Sequence, residues 1–150
     1  MSLSKAFGTN PDLETAGVVV VLGQAKNEAG QPVDTSIIVR RSGGANTAFQ
    51  AELRKLSKPY QRQFQLGTVS AEVSERIYRD AFVNEVIAGW NNVEMSDVTG
   101  IATDTGFAEF SRENVTKLIT NLPKVYEILR ETADNHASFQ DEAREEDAKN

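Results

Sequence analysis

Cysteine is absent from this chain of 150 residues. Its absence excludes disulfide bonds, thiol catalysis and metal sites built on thiolates, and it is typical of cytosolic proteins. Long apolar runs are also absent, since the longest, residues 17–22, has only the length of a strand. A membrane-spanning helix needs roughly 18 such residues, and the amino-terminal residues lack the charged and apolar regions of a signal peptide. We therefore expect neither a membrane anchor nor export from the cell that makes the protein.

Acidic residues are concentrated at the carboxyl end of the chain. The whole chain has a net charge of −6, and residues 127–150 contain eight acidic and three basic side chains, which gives −5. The rest of the chain is thus nearly neutral. General affinity for nucleic acid requires a basic surface that displaces counterions from phosphate groups. We therefore expect no nucleic-acid partner.

Apolar periodicity predicts a mainly helical α+β fold with an N-terminal β-hairpin. Residues 18–22 and 37–39 are apolar, mostly β-branched runs joined by a connection rich in turn residues. Four helices are predicted after the hairpin, followed by a polar C-terminal tail. We expect a flexible leader over residues 1–16, a single α-rich domain over residues 17–140 and an acidic tail over residues 141–150.

The longest predicted helix covers residues 68–90. Apolar side chains recur there at steps of about four, which is the period of one helix face, and charged side chains fill other positions. Thr68 and Ser70 are both suitable N-caps, because a hydroxyl oxygen can accept a hydrogen bond from a helical N–H group. The last turn carries Trp90, the single tryptophan. We interpret this segment as the central helix of the domain.

Caps and prolines mark the other three helices. The first of the four begins after Asn46 and ends near Pro59, because proline cannot continue a helix. The third begins after Ser111, and the fourth begins at Pro123, since proline is favoured at the first helical position. Residues 91–110 alternate turn residues with single apolar ones and are predicted to be mostly loop.

From Leu122 onward the apolar pattern narrows to a single seam. Its members are alternately three and four residues apart, which is the 3.5-residue repeat of a coiled coil. They are Leu122, Val125, Leu129, Thr132, His136, Phe139 and Ala143. Because two members are polar and the repeat is short, such a seam needs a partner to be stable.

Four members of this seam are our candidate partner-binding residues: Val125, Leu129, His136 and Phe139. Apolar anchors at this spacing dock a helix into a groove, so the partner would be a helical client or a second copy. Packing on the chain's own core explains Val125 and Leu129 at least as well. For Phe139 we expect contact with a partner, because its sequence neighbours are polar.

A basic cluster lies around Pro59. Arg54, Lys55, Lys58 and Arg62 are close in sequence, with Tyr60 among them. Three interpretations remain open. A solvated helix face is the simplest, a surface for an acidic partner is the second, and a site for single-stranded nucleic acid, which pairs basic with aromatic side chains, is the third.

Reactive side chains do not converge in the sequence. His136 is the single histidine, and Thr132 and Gln140, one helical turn away, would complete a poor zinc site. The acidic clusters do not have the spacing of an EF-hand loop. Carboxylates for acid–base catalysis would need burial, and these lie among polar neighbours. We therefore expect no enzyme activity, no catalytic residues, no metal and no cofactor.

Several short stretches, taken in order, resemble the tail assembly chaperones of long-tailed, siphovirus-type bacteriophages. Each stretch is weak alone, and the ordered set covers residues 37–140. The stretches are residues 38–46 with Phe49, residues 58–63, Gly67-Thr68, residues 88–90 with Val93, residues 110–114, residues 118–123, and the acidic final helix with Phe139. The long connection between the two predicted strands departs from the pattern.

The resemblance implies a small, mainly helical protein that acts in the cytoplasm of an infected host cell. Such chaperones bind the tape measure protein, whose long apolar helices would otherwise aggregate, and recruit tail tube subunits during tail morphogenesis. They are absent from the mature virion, and programmed frameshifting often adds a C-terminal extension to some copies. The alternative is a structural minor tail or tube-completion protein that remains in the particle. Neither implies a membrane partner, and self-association is compatible with both.

Overall fold

The computed structural model of the chain describes residues 2–141 and shows an α+β fold. Its elements, in chain order, are α1 (Leu3–Phe7), α2 (Pro11–Ala16), β1 (Val18–Lys26), β2 (Pro32–Val39), α3 (Thr47–Ser57), a 3₁₀ helix (Lys58–Tyr60), α4 (Gln61–Leu66), α5 (Ala71–Glu85), β3 (Ile87–Asn91), α6 (Met95–Thr99), α7 (Arg112–Asn121), α8 (Pro123–Asp134) and a second 3₁₀ helix (His136–Phe139). The predicted fold class is confirmed. The four predicted helices correspond to α3, α5, α7 and α8. None of the helices in this part of the chain has the length and apolarity to span a membrane.

The three strands form one antiparallel sheet in the order β1-β2-β3. The predicted hairpin is confirmed, although its strands are longer than the apolar runs. Pairing of β1 with β2 extends from Val18 opposite Val39 to Lys26 opposite Pro32. The register shifts between Val21 and the glycine two residues later, which marks a β-bulge in the edge strand β1.

The third strand corrects the predicted central helix, which ends at Glu85 and not at Trp90. Its N-terminus is as predicted, because the Ser70 hydroxyl oxygen accepts a hydrogen bond from the Val73 N–H at 3.2 Å. Residues 87–91 leave the helix and pair with β2, where Ile37 lies opposite Trp90. Isoleucine and tryptophan favour strands, and pairing with β2 supplies ladder hydrogen bonds that a longer helix would forgo.

Trp90 lies on this strand and not in a last helical turn. Its indole N–H donates to the Ala108 carbonyl oxygen at 3.0 Å. Its ring meets Phe110 edge to face, with 5.6 Å between the centroids. These contacts attach the segment that follows β3, which also contains α6, to the sheet. The prediction that residues 91–110 are mostly loop missed this helix.

The main core contains buried side chains from β2, α3, α5, α7 and α8. Aromatic rings connect three of these helices. Phe49 meets Tyr78 edge to face at 5.5 Å, and Phe82 meets Tyr126 edge to face at 5.4 Å. The largest fully buried members of this core are Phe49, Phe82, Ile37, Leu129, Val39, Val86, Val93, Val98 and Val115.

Phe139 lies in a second, smaller core and not at the surface. Its side chain is fully buried and packs with Leu13 and Val18. The seam predicted to continue from α8 is interrupted, because Asn135 is extended and its side chain caps the second 3₁₀ helix by accepting from the Ala137 N–H at 3.1 Å. The expectation that Phe139 contacts a partner is therefore wrong, since α2 and β1 of the same chain cover it.

The expectation that residues 1–16 form a flexible leader is wrong for α2. The Glu14 side chain is buried and forms an ion pair with Arg41, and it also accepts from the Thr9 hydroxyl at 3.0 Å. A buried carboxylate needs such partners, because its desolvation is costly. Gly44, with φ of +55°, leaves room for this carboxylate, since a Cβ there would collide with it.

Of the predicted acidic tail, residues 142–150 lie outside the described part of the chain.

Helices α5 and α8 are joined by a cation stacked between two phenol rings. The Arg130 guanidinium lies 4.7 Å from the centroid of Tyr78 and 5.3 Å from that of Tyr126. Burial raises the pKa of Tyr126 to about 12, against the opposing effect of the Arg130 charge. Burial also raises the pKa of Tyr78. Burial of the two rings therefore favours the neutral phenols in the folded protein, and the Arg130 charge opposes this effect.

Phe139→Ala is expected to lower the free energy of unfolding by about 3–5 kcal/mol, because it removes a buried ring from the second core. Chemical denaturation followed by circular dichroism measures the change. Phe7→Ala is the matched control, since Phe7 is 66% exposed and its truncation should change stability by less than about 0.5 kcal/mol. Equal stability of the two variants would place Phe139 outside the core.

The high pKa of Tyr126 predicts a loss of stability at alkaline pH. A folded-state pKa of about 12 exceeds the unfolded value of about 10, so the folded protein holds this proton more tightly. The stabilisation is complete below pH 10 and is lost as the pH rises from about 10 to 12. Absorbance titration of the phenols should show a transition near pH 12 that Tyr126→Phe removes. An unchanged titration curve in that variant would contradict the assignment.

Candidate protein-docking surface

Two backbone features turn the chain out of α3 and into a short exposed helix. Pro59 lies at the start of the 3₁₀ helix that follows α3, where its missing N–H costs no hydrogen bond. Helix α4 then ends at Gly67, which is left-handed with φ of +68°. The Thr68 N–H donates back to the Gln63 carbonyl oxygen at 2.9 Å, which closes the helix end. The chain thereby makes a corner between α3 and α5.

Helix α4 buries none of its side chains. All six of its residues are exposed, including Phe64 at 39% and Leu66 at 65%. A helix normally buries its apolar residues against a neighbouring element, so exposed apolar side chains on such a helix make it a candidate for contact with another molecule. Within residues 2–141, α1 is the other α-helix without buried residues, and the 3₁₀ helix Lys58–Tyr60 also has none.

A groove of about 380 Å³ runs between the end of α3 and α4. Arg54 and Lys58 line it together with Ser57, Gln61 and Phe64. The Ser57 hydroxyl is already engaged, since it donates to the Leu53 carbonyl oxygen at 2.6 Å. The groove therefore offers an aromatic face beside two cationic side chains.

The surroundings of the groove are strongly basic. Residues 53–71 contain Arg54, Lys55, Lys58 and Arg62 and no acidic residue. Arg76 of α5 joins them, because its guanidinium donates to the Tyr60 hydroxyl at 2.6 Å and lies 5.9 Å from the centre of that ring. We call these five cations, with Phe64 and Leu66, the basic ledge.

The cations of the basic ledge form no ion pair with the described residues. The four ion pairs found among residues 2–141 involve other basic residues. All five cationic side chains are exposed. Like charges held together without compensation create a positive potential that attracts an acidic partner. Of the three interpretations open for this cluster, the structure favours a partner surface over a solvated face, because α4 adds exposed apolar side chains to the charges.

The structure does not bring the four predicted partner-binding residues together on one surface. Leu129 and Phe139 are fully buried, in different cores. Val125 is half-buried at a groove of about 210 Å³ beside Leu118 and Leu122. His136 is exposed, with its ring 6.5 Å from that of Phe7. The prediction of a shared docking seam is therefore wrong for Leu129 and Phe139.

Sequence reasoning identified the charges of the basic ledge but missed its apolar members. Phe64 and Leu66 are two residues apart, so they do not fall on one helical face. A search for helical periodicity therefore did not identify them. Arg76 was assigned to the central helix and not to the cluster. The available signal was the pair of breaks at Pro59 and Gly67, which isolates a six-residue helix too short to bury a face.

Among residues 2–141 there is no group of three or more histidine, aspartate or glutamate side chains placed to hold a metal ion. Three carboxylates, those of Glu28, Glu94 and Asp104, line a groove of about 520 Å³ together with Lys26. The groove also contains backbone of the turn at Gly106. Its charged lining is mainly acidic, in contrast to the basic ledge.

Comparison with known proteins gives one family. The family of YdaY prophage proteins matches residues 44–150, which include the basic ledge and the helices from α3 to α8. No curated protein matches the chain, and no solved structure does. The match covers more than half of the chain, and the chain therefore belongs to the YdaY prophage protein family and is of phage origin.

Proposed function

We propose that the protein is a bacteriophage tail assembly chaperone. It binds the tape measure protein and recruits tail tube subunits during tail morphogenesis in the host cell cytoplasm, and it is absent from the mature virion. It acts by binding and not by catalysis, with neither a nucleic acid nor a membrane as partner. Membership of a prophage family and the ordered resemblance over residues 37–140 support this proposal.

The observation that carries the proposal is the basic ledge. A tape measure protein presents long helices with apolar segments, and a chaperone must cover these segments until the tail tube closes around them. Phe64 and Leu66 on exposed α4 provide apolar contacts, and the five cations provide attraction to acidic flanking residues. The surface thus has the composition that a helical client requires.

The size of the basic ledge indicates weak and reversible binding. Complete burial of one large apolar side chain contributes about 1.5–3 kcal/mol, and Phe64 and Leu66 are already partly covered. Losses of rotational and translational freedom on association oppose this contribution. One contact of this kind is therefore weak, whereas many copies along one long client would hold it together through multivalency. Weak individual contacts also allow the chaperone to leave when tube subunits arrive.

Phe64→Asp and Leu66→Asp, introduced together, are expected to reduce co-purification with the tape measure protein at least tenfold. The reason is that both anchors become charged in a surface whose apolar contacts are few. The melting temperature should change by less than about 2 °C, because both side chains are exposed. Co-expression followed by affinity capture and quantitative immunoblotting measures the client fraction.

Phe107→Asp is the matched control for this experiment, since Phe107 has the same exposure of 39% as Phe64 but lies outside the basic ledge. Phe7→Asp tests α1, the other α-helix without buried residues. Unchanged capture by the ledge variant, or equal loss in the Phe107 variant, would contradict the role of the ledge.

Mass spectrometry of purified virions tests the alternative function, a structural minor tail or tube-completion protein, because such a protein would be present in the particle.

A gel shift separates a protein client from a nucleic-acid ligand. Electrostatic binding of single-stranded oligonucleotides is strongest at low salt, so a titration at about 50 mM salt is the most sensitive condition. We expect no shift by the wild-type protein. A shift that Arg54→Glu with Lys58→Glu abolishes would instead assign the basic ledge to nucleic acid.

A further inference from the structure

The chain carries a basic surface, the basic ledge, and an acidic segment at its carboxyl end. The basic ledge has five cations, and residues 53–71 contain no acidic side chain. Residues 141–150 contain five acidic and two basic side chains. We propose that the basic ledge of one copy binds the acidic segment 141–150 of a second copy, so that copies associate head to tail.

The position of Asp141 argues that the segment comes from a second copy. Its carboxylate accepts from the Asn10 side-chain amide at 2.8 Å, and the Asn10 N–H donates to the Phe139 carbonyl oxygen at 2.8 Å. The segment therefore begins beside α2, which the Glu14–Arg41 ion pair attaches to the loop before α3.

The basic ledge lies at the other end of α3. The start of this helix is held next to the same loop, because the Asn46 side chain donates to the Arg41 carbonyl oxygen at 2.8 Å. From there α3 extends for eleven residues, about 16 Å, before the chain reaches Lys58 and α4. The acidic segment thus starts at the end of α3 that is remote from the basic ledge, and it would have to run back along this helix to reach the ledge of its own chain.

The other acidic residues near the carboxyl end are less suited to this contact. Glu127 already lies 3.4 Å from the Lys124 ammonium, and the neighbouring Arg130 places a positive charge on the same helix. The described cations of the ledge, by contrast, form no ion pair among residues 2–141. Charge complementarity therefore selects segment 141–150 over the acidic face of α8.

A contact between two different surfaces has consequences for assembly. Each copy has one ledge and one acidic segment, so the contact is heterologous and propagates to rings or open chains instead of stopping at a symmetric dimer. Exposed ion pairs are individually weak and are screened by salt, so association should weaken steeply as ionic strength rises. The acidic segment would also cover the ledge before a client arrives, a consequence that rests on the proposed function.

Sedimentation velocity of the full chain at 50 mM and 500 mM NaCl tests the proposal. At 50 mM NaCl the weight-average mass should exceed the 16.5 kDa of one chain at least twofold, and at 500 mM it should return to one chain. Reversal of the ledge by Arg54→Glu, Lys58→Glu and Arg62→Glu should give a single chain at both salt concentrations. Reversal of the segment by Glu142→Lys, Glu145→Lys and Glu146→Lys should do the same.

Mixing the two reversed variants is the decisive step. An acidic ledge and a basic segment are again complementary, so an equimolar mixture should regain association at 50 mM NaCl. The control is Lys5→Glu with Lys26→Glu and Lys117→Glu, which changes the net charge equally at exposed positions away from the ledge and should associate like the wild type. Circular dichroism melts verify that each variant is folded.

Three results would overturn the proposal. They are a single-chain mass for the wild type at 50 mM NaCl, association that survives either reversal, and a mixture that stays dissociated although both variants are folded. None of these measurements includes a client. A wild-type protein that stays a single chain but still loses client capture through the ledge variant would therefore refute self-association and leave the chaperone role intact.

Discussion

The fold depends on the position of β2 between two other strands. A two-stranded ribbon is marginally stable in water, and β2 gains its second partner only because the chain after α5 returns as β3. Ile37 and Val39 on this central strand are fully buried in the main core. The Arg40 N–H continues the pairing by donating to the Val86 carbonyl oxygen at 2.8 Å. This strand lies before residue 44 and so outside the family match. The sheet that contains β3 is therefore completed by residues that the match does not include.

Local signals predicted much of this fold, and non-local pairing explains most of what they missed. Ser70 and Ser111 cap helices through their own hydroxyl oxygens, and Pro123 begins α8, so each acts within one helical turn. Residues 87–91 also fit a helical period. Their assignment to a strand depends on pairing with β2, about fifty residues earlier, which no short window contains. The prediction of a helix was therefore correct as far as Glu85, after which the chain pairs with β2 instead.

The failed docking seam has the same origin. Spacing alone placed Leu129, His136 and Phe139 on one stripe, but Asn135 ends α8 and rotates the following residues away from that stripe. Phe139 is then covered by Leu13, from the segment that was predicted to be a flexible leader, and by Val18 of β1. Polar sequence neighbours are thus a poor guide to exposure when a distant segment supplies the cover. Burial of Glu14 beside Arg41 shows that even the charged residues of that segment contribute to the packing.

The location of the basic ledge follows from how the two cores are built. The amino-terminal segment, β2 and the second 3₁₀ helix occupy one end of α3, where they satisfy the buried groups around Arg41. At the other end, Pro59 and Gly67 isolate six residues that have no partner element large enough to cover them. Covering Phe64 would require a further element that the described chain does not supply. The apolar and basic side chains of α4 therefore stay exposed in the folded chain, and the same breaks that end α3 and α4 create the surface that we propose for binding to another protein.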